Sequence, residues 1–86
     1  MNAESPKTQA HQPTAELITP EFLSKAIKVT YTNWRGERAV RSIVPIEIYW
    51  GKTEYHPQEQ WLLRVFDVER NAERIYAFKE IEQVVE

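Results

Sequence analysis

The feature that most restricts this chain is an alternation of apolar and polar side chains that begins at Ile27. Ile27, Val29 and Tyr31 alternate with polar residues, and similar stretches recur as far as residue 78. A period of two is typical of strands with one buried face. Because 86 residues allow one small domain and there is no cysteine to form disulfides, the sequence predicts a single, mainly β domain held by its own apolar core.

The alternation predicts five strands separated by turn-forming residues. They cover residues 27–32, 38–44, 46–50, 60–68 and 74–78. Pro45 marks a bend between two of them, since proline cannot donate to a strand ladder. The stretch 60–68 is apolar on both faces, so both faces must be covered. Five strands this short leave exposed edges unless the sheet curls, and we therefore expect a small, partly closed barrel.

The two ends of the chain differ from the middle. Residues 1–16 lack an apolar period and contain Pro6 and Pro13, so we expect a disordered, dispensable leader ahead of one domain over residues 17–86. Thr19-Pro20-Glu21 is typical of a helix start, which predicts a short helix that closes one end of the core. Ile81, Val84 and Val85 suggest a terminal helical turn.

The longest unbroken apolar run, residues 75–78, is far shorter than a membrane span. No apolar stretch near the N-terminus resembles a signal peptide. We expect a cytoplasmic protein with no membrane partner.

The net charge of −2 is unevenly distributed, because a mildly basic middle lies between acidic ends. This balance permits a local basic patch without indicating a nucleic-acid-binding domain.

The sequence gives little support for catalytic chemistry. His56 has only Glu54 and Glu59 nearby, whereas a metal site needs three or four clustered ligands. Asp67 is better explained as a turn or ladder acceptor than as a base, so we predict no catalytic residue, no metal and no cofactor.

Aromatic and arginine side chains are the more informative set. Aromatic rings beside basic groups can hold single-stranded nucleic acid, but a small barrel also fills its core with such rings. We expect Trp61 to be core or pocket wall and, with Leu63, to anchor the core. Trp34 lies in a hairpin loop beside Arg35 and is either a contact surface or a cover over the barrel mouth.

Several short motifs occur in an order that resembles the WYL domain family. They are a strand ending in Tyr31, Arg41-Ser42-Ile43-Val44-Pro45, Trp61-Leu62-Leu63 followed by Asp67, and Arg74 to Ile81. The likeness covers roughly residues 22–85 and extends to short stand-alone bacterial and phage proteins of this type. It implies a five-stranded SH3-like, Sm-type barrel with an N-terminal helix.

The resemblance also implies a function. WYL domains usually accompany a helix-turn-helix in bacterial transcription regulators and are thought to sense ligands, including single-stranded nucleic acid. Carried over by position, the ligand-binding residues are Arg41, Trp61 and Arg74, to which we add Trp34 from its loop position. Two positions depart from the family pattern: Leu62 replaces the tyrosine of the motif, and Glu80 replaces an arginine, which disfavours an anionic ligand.

We therefore expect a non-enzymatic binding or accessory domain that senses a small ligand or docks on another protein. The alternatives are a regulator component that binds single-stranded nucleic acid or a nucleotide, and a phage-encoded interaction protein. The chain is expected to be a monomer or a weak homodimer.

Overall fold

The polypeptide forms one antiparallel sheet preceded by a short helix. The computed structural model describes residues 18–85, and the predicted leader lies outside the described residues. The elements are α1 (Pro20–Leu23), β1 (Ile27–Thr32), β2 (Arg38–Gly51), β3 (Gln60–Asp67), β4 (Ala72–Ala77), a 3-10 turn (Phe78–Glu80) and β5 (Ile81–Val85). The strand order is β4-β3-β2-β1-β5. The prediction of a mainly β fold with five strands and a short leading helix is confirmed.

Strand β2 is one continuous strand, so the prediction of two strands divided at Pro45 is wrong. Pro45 lies opposite Val65 in the β2–β3 ladder, and the register shifts between Pro45 and Glu47. Strand β1 pairs with β2 only as far as Ile43. Beyond that point no strand among residues 18–85 lies on that side of β2, so a residue without an N–H is tolerated there, and the bulge bends the strand.

The C-terminal segment is also a strand, so the predicted helical turn over Ile81, Val84 and Val85 is wrong. The helical turn lies just before it, at Phe78–Glu80, and Ile81–Val85 pairs with β1. Three of these five residues are β-branched, which favours extended structure. Hydrogen bonds to the edge of β1 stabilise the extended conformation of this segment.

The sheet is strongly rolled. Strands β1 and β4 are three positions apart, which would separate them by about 14 Å in a flat sheet. Yet the rings of Tyr31 on β1 and Tyr76 on β4 stack with centroids 3.7 Å apart. The Tyr31 hydroxyl also accepts a hydrogen bond of 2.9 Å from the Ala77 N–H. Within the described residues no ladder joins β4 to β5, so the rolled sheet stays open.

Both faces of the sheet bury apolar side chains, as predicted for residues 60–68. The concave face holds the main cluster, which consists of Val29, Tyr31, Ile43, Val65 and Tyr76, with Leu63 and Ile81 packed against it. On the opposite face Phe66 is buried under α1, where Phe22 meets it edge-on at 5.7 Å. The side chain of Thr19 accepts from the Phe22 N–H and starts this helix as expected.

Trp61 is not part of the core, contrary to the prediction. Its side chain is 52% exposed, whereas its neighbour Leu62 is fully buried. Trp61 lies opposite Trp50 near the open end of the β2–β3 ladder, beyond the concave cluster. Leu63, the other predicted anchor, does pack against that cluster.

No helix in the described range is long and apolar enough to cross a bilayer.

Candidate functional site

A cleft lies where the β1–β2 turn, the β2–β3 loop and the 3-10 turn meet. Its volume is about 430 Å³, and its walls include Trp34, Tyr55, His56, Gln60, Lys79 and Glu80. The first two loops flank opposite ends of the long strand β2. They come together because β2 is bent and the sheet is rolled, so the fold itself creates the cleft.

The β1–β2 turn that carries Trp34 is held by one side chain. The Asn33 carboxamide oxygen accepts from the N–H groups of Arg35 and Glu37, both at 2.9 Å. Its amide nitrogen donates to the Glu37 carboxylate at 3.1 Å. Gly36 completes the turn with a φ of +82°, where a side chain would be strained. Trp34 is therefore presented on a turn that is held by several hydrogen bonds.

The β2–β3 loop that carries Tyr55 is fixed in a similar way. The Thr53 hydroxyl accepts from the N–H groups of Tyr55 at 3.2 Å and His56 at 3.0 Å. The backbone N–H of Thr53 also donates to the His56 carbonyl at 2.9 Å. These hydrogen bonds fix the backbone conformation of the loop at Tyr55.

Trp34 and Tyr55 stack on each other across the two loops. Their ring centroids are 4.8 Å apart with 26° between the planes. Both remain exposed, at 58% for Trp34 and 53% for Tyr55. The Arg35 guanidinium lies 5.9 Å from the Trp34 ring centroid and 3.7 Å from the Glu37 carboxylate. We refer to the Trp34–Tyr55 stack as the aromatic platform.

The remainder of the cleft is polar and close to neutral. Burial lowers the pKa of His56, although its contact with the Ile75 backbone opposes the shift, so the imidazole is mainly uncharged at pH 7. The charges of Lys79 and Glu80 cancel. The Gln60 amide nitrogen donates to the Gln58 carbonyl at 2.8 Å. The carboxamide oxygen of Gln60 is buried and accepts from none of the described residues.

The residues that the family resemblance suggested share one face but do not form one site. The ladders put Arg41 opposite Val29 and Arg74 opposite Val65, on the same side of the sheet as Trp61. Along the β2–β3 ladder, however, Arg41 lies about 20 Å or more from Trp61 at ordinary strand rise. Arg41 is half-buried near Tyr76, and the exposed Arg74 donates to the Glu73 carbonyl at 2.9 Å.

Most other arginines are occupied by carboxylates. Arg64 is on the opposite face, where it pairs with Glu47 at 3.0 Å and with Glu73 at 3.3 Å. Arg38 pairs with Glu82 at 2.9 Å. These pairs break up the basic middle of the sequence. No groups of three or more metal-ligating side chains occur among residues 18–85.

A second exposed aromatic pair lies outside the cleft. Trp50 and Trp61 face each other across β2 and β3, edge to face at 5.4 Å, and both are more than half exposed. Ile48 is on the same side of β2 and is also exposed. This pair is separate from the aromatic platform and provides a natural comparison for it.

Sequence reasoning selected Trp34 but missed its partners in the cleft. Tyr55, His56 and Gln60 come from a loop and a strand start that have no motif of their own. The available signal was Tyr55 itself, an aromatic residue in a loop that also contains Thr53 and Pro57. Only the bending of β2 brings that loop against Trp34.

Comparisons of the chain with protein-family models, with curated proteins and with solved structures found no match. The WYL-like character therefore stays a prediction from the motifs.

Proposed function

We propose that this chain is a non-enzymatic protein-docking domain whose cleft binds a short extended segment of another protein. The observation that carries the proposal is the aromatic platform. Two large rings, each more than half exposed, are held on separate hydrogen-bonded turns and stack at the mouth of a cleft. Exposed aromatic anchors in a pre-formed concavity are the usual centre of a binding surface.

The electrostatics favour a protein partner over a nucleic acid. Binding to a phosphate backbone needs a groove of free cations. Here the cleft is close to neutral, and Arg35, Arg38 and Arg64 contact carboxylates. Single-stranded nucleic acid is the second candidate, supported by Arg41, Arg74 and Trp61 on a common face of the sheet.

The architecture that we propose for the domain is an SH3-like barrel of Sm type, as in the WYL family. Three features support it: the strand order, the long bent β2, and the contact of Tyr31 with Tyr76 and Ala77 across the rolled sheet.

A displayed library of random peptides tests the docking function. Selection of peptides that bind the wild-type domain is expected to enrich sequences that do not bind Trp34→Ala. Trp50→Ala is the matched control, because it removes an exposed tryptophan outside the cleft. A parallel titration uses labelled single-stranded oligonucleotides at low salt with Arg41→Ala, Arg74→Ala and Arg64→Ala. Oligonucleotide binding that depends on Arg41 and Arg74, combined with no enriched peptide, would favour the nucleic-acid alternative.

A further inference from the structure

The hydrogen-bonding capacity of the cleft restricts what can occupy it. Within residues 18–85, the Trp34 indole N–H and the Tyr55 hydroxyl have no hydrogen-bond partner, and the Lys79 ammonium adds further donors. The Gln60 carboxamide oxygen is the one buried side-chain acceptor there without a partner. The two rings of the aromatic platform thus carry unpaired donors, and a ligand that complements them presents acceptors to these two groups.

The charge of the cleft gives a second restriction. Lys79 and Glu80 cancel, and His56 is mainly neutral at pH 7. Arg35 already has a carboxylate neighbour in Glu37. An uncharged ligand loses no strong hydration on entering such a cleft, whereas a phosphate or carboxylate would find no unpaired cation excess to replace its water.

The aromatic platform gives a third restriction on the ligand. Because the two rings are stacked, each covers one face of the other, and the outer faces and edges remain for a ligand. Such aromatic surfaces pack well against compact, rigid apolar rings, and a prolyl ring is of this kind. Segments rich in proline adopt the polyproline II conformation, which has no internal hydrogen bonds and leaves its carbonyl groups free to accept. They also lose little conformational entropy on binding, and aromatic-lined grooves recognise them for that reason.

We propose that the partner segment is an uncharged, proline-containing stretch in the polyproline II conformation. Prolyl rings pack on Trp34 and Tyr55, free carbonyls accept from the Trp34 indole and the Tyr55 hydroxyl, and one non-prolyl N–H donates to the Gln60 oxygen. This inference rests on the proposed docking function and specifies the chemistry of its partner.

The test is a fluorescence titration of the full chain with an end-capped, uncharged, proline-rich synthetic peptide. Binding is expected to be nearly independent of salt, since no charges pair. Replacing every proline of the peptide with alanine is expected to weaken binding about tenfold or more. Trp34→Ala and Tyr55→Ala are each expected to weaken binding by a similar factor, and a tenfold loss corresponds to about 1.4 kcal/mol. Gln60→Met, which keeps the side-chain length but removes the acceptor, is expected to weaken it severalfold.

Trp50→Ala and Trp61→Ala are the matched controls and should leave affinity within about twofold, because their exposed pair lies outside the cleft. Equal binding of the alanine peptide would overturn the proline assignment, and so would no binding to the proline-rich peptide. If peptides selected from the random library still require Trp34, the docking function stands and only the partner chemistry is wrong. Loss of affinity in Trp50→Ala equal to that in Trp34→Ala would also contradict the proposal.

Discussion

Two stacked aromatic pairs in this chain have the same kind of contact and opposite surroundings. Tyr31 and Tyr76 stack at 3.7 Å and are 4% and 5% exposed, whereas Trp34 and Tyr55 stack at 4.8 Å and are more than half exposed. The buried pair joins two strands that the rolled sheet brings together. The exposed pair joins two loops at a cleft. Ring stacking alone therefore does not assign a role, because burial decides whether it stabilises the fold or remains available to a partner.

Truncating one ring of each pair should separate the two roles most clearly. Tyr76→Ala is expected to lower the free energy of unfolding by about 3–5 kcal/mol, because it leaves a large cavity in the concave core. Tyr55→Ala removes an exposed ring and is expected to change it by less than about 1 kcal/mol. Urea denaturation of both variants measures the difference. Similar losses would show that the exposed pair also holds the fold together.

A smaller change in the buried pair tests its hydrogen bond. Tyr31→Phe keeps the ring but removes the hydroxyl that accepts from the Ala77 N–H, leaving a buried donor unpaired. The expected loss is about 1–3 kcal/mol in the free energy of unfolding. The matched control is Tyr76→Phe, since the Tyr76 hydroxyl bonds to none of the described residues. A larger loss in Tyr76→Phe than in Tyr31→Phe would contradict this assignment.

Alkaline pH should act on the buried pair. Burial raises the pKa of Tyr76 to about 12, with the Asp67 carboxylate adding to the shift. Burial also raises the pKa of Tyr31. Because the folded state keeps these phenols protonated while the unfolded chain ionises near pH 10, their contribution to stability should be present below about pH 10 and be lost between about pH 10 and 12.

The expected loss from Tyr76 is on the order of 1 kcal/mol by pH 11, measured by urea denaturation across this range. Tyr76→Phe should reduce the slope. An unchanged slope in that variant would show that other groups cause the loss.

The smallest effect is expected at the second exposed pair. Trp61→Ala should change the free energy of unfolding by less than about 1 kcal/mol, since half of the side chain is already in water and its contact with Trp50 is at the surface. Thermal denaturation beside wild type checks this. A loss as large as that of Tyr76→Ala would restore Trp61 to the core.

The sequence was sufficient for the local features of this fold. Alternation identified β1 and β3, the Thr19-Pro20 pair identified the start of α1, and Gly36 identified the first turn. It failed where tertiary contacts decide. Pro45 stays within a strand because no described strand pairs with that side of β2, and residues 81–85 become a strand because they pair with β1.

The candidate site was less predictable than the fold for the same reason. Periodicity specifies which face a side chain occupies, and it correctly indicated that both faces of residues 60–68 are covered. It does not specify how far along a strand each face is covered, and Trp61 is exposed because the concave cluster extends along β3 only as far as Leu63. Tyr55 and Gln60 join Trp34 only through the curvature of the sheet, which no local pattern in this sequence records.

The most direct test of the difference between the pairs is a nuclear magnetic resonance titration of the isotope-labelled full chain with the uncharged proline-rich peptide. Shift changes are expected to concentrate at the backbone amides of residues that line the cleft, while Val29, Val65 and Trp50 change little. These cleft residues include Asn33, Trp34, Gly36, Tyr55, His56, Gln58, Gln60, Lys79 and Glu80. The same titration of Trp34→Ala should give a spectrum of a folded domain with those changes strongly reduced. Shifts centred on Trp50 and Trp61, or equal shifts in wild type and Trp34→Ala, would contradict the assignment of the exposed Trp34–Tyr55 pair as the binding site.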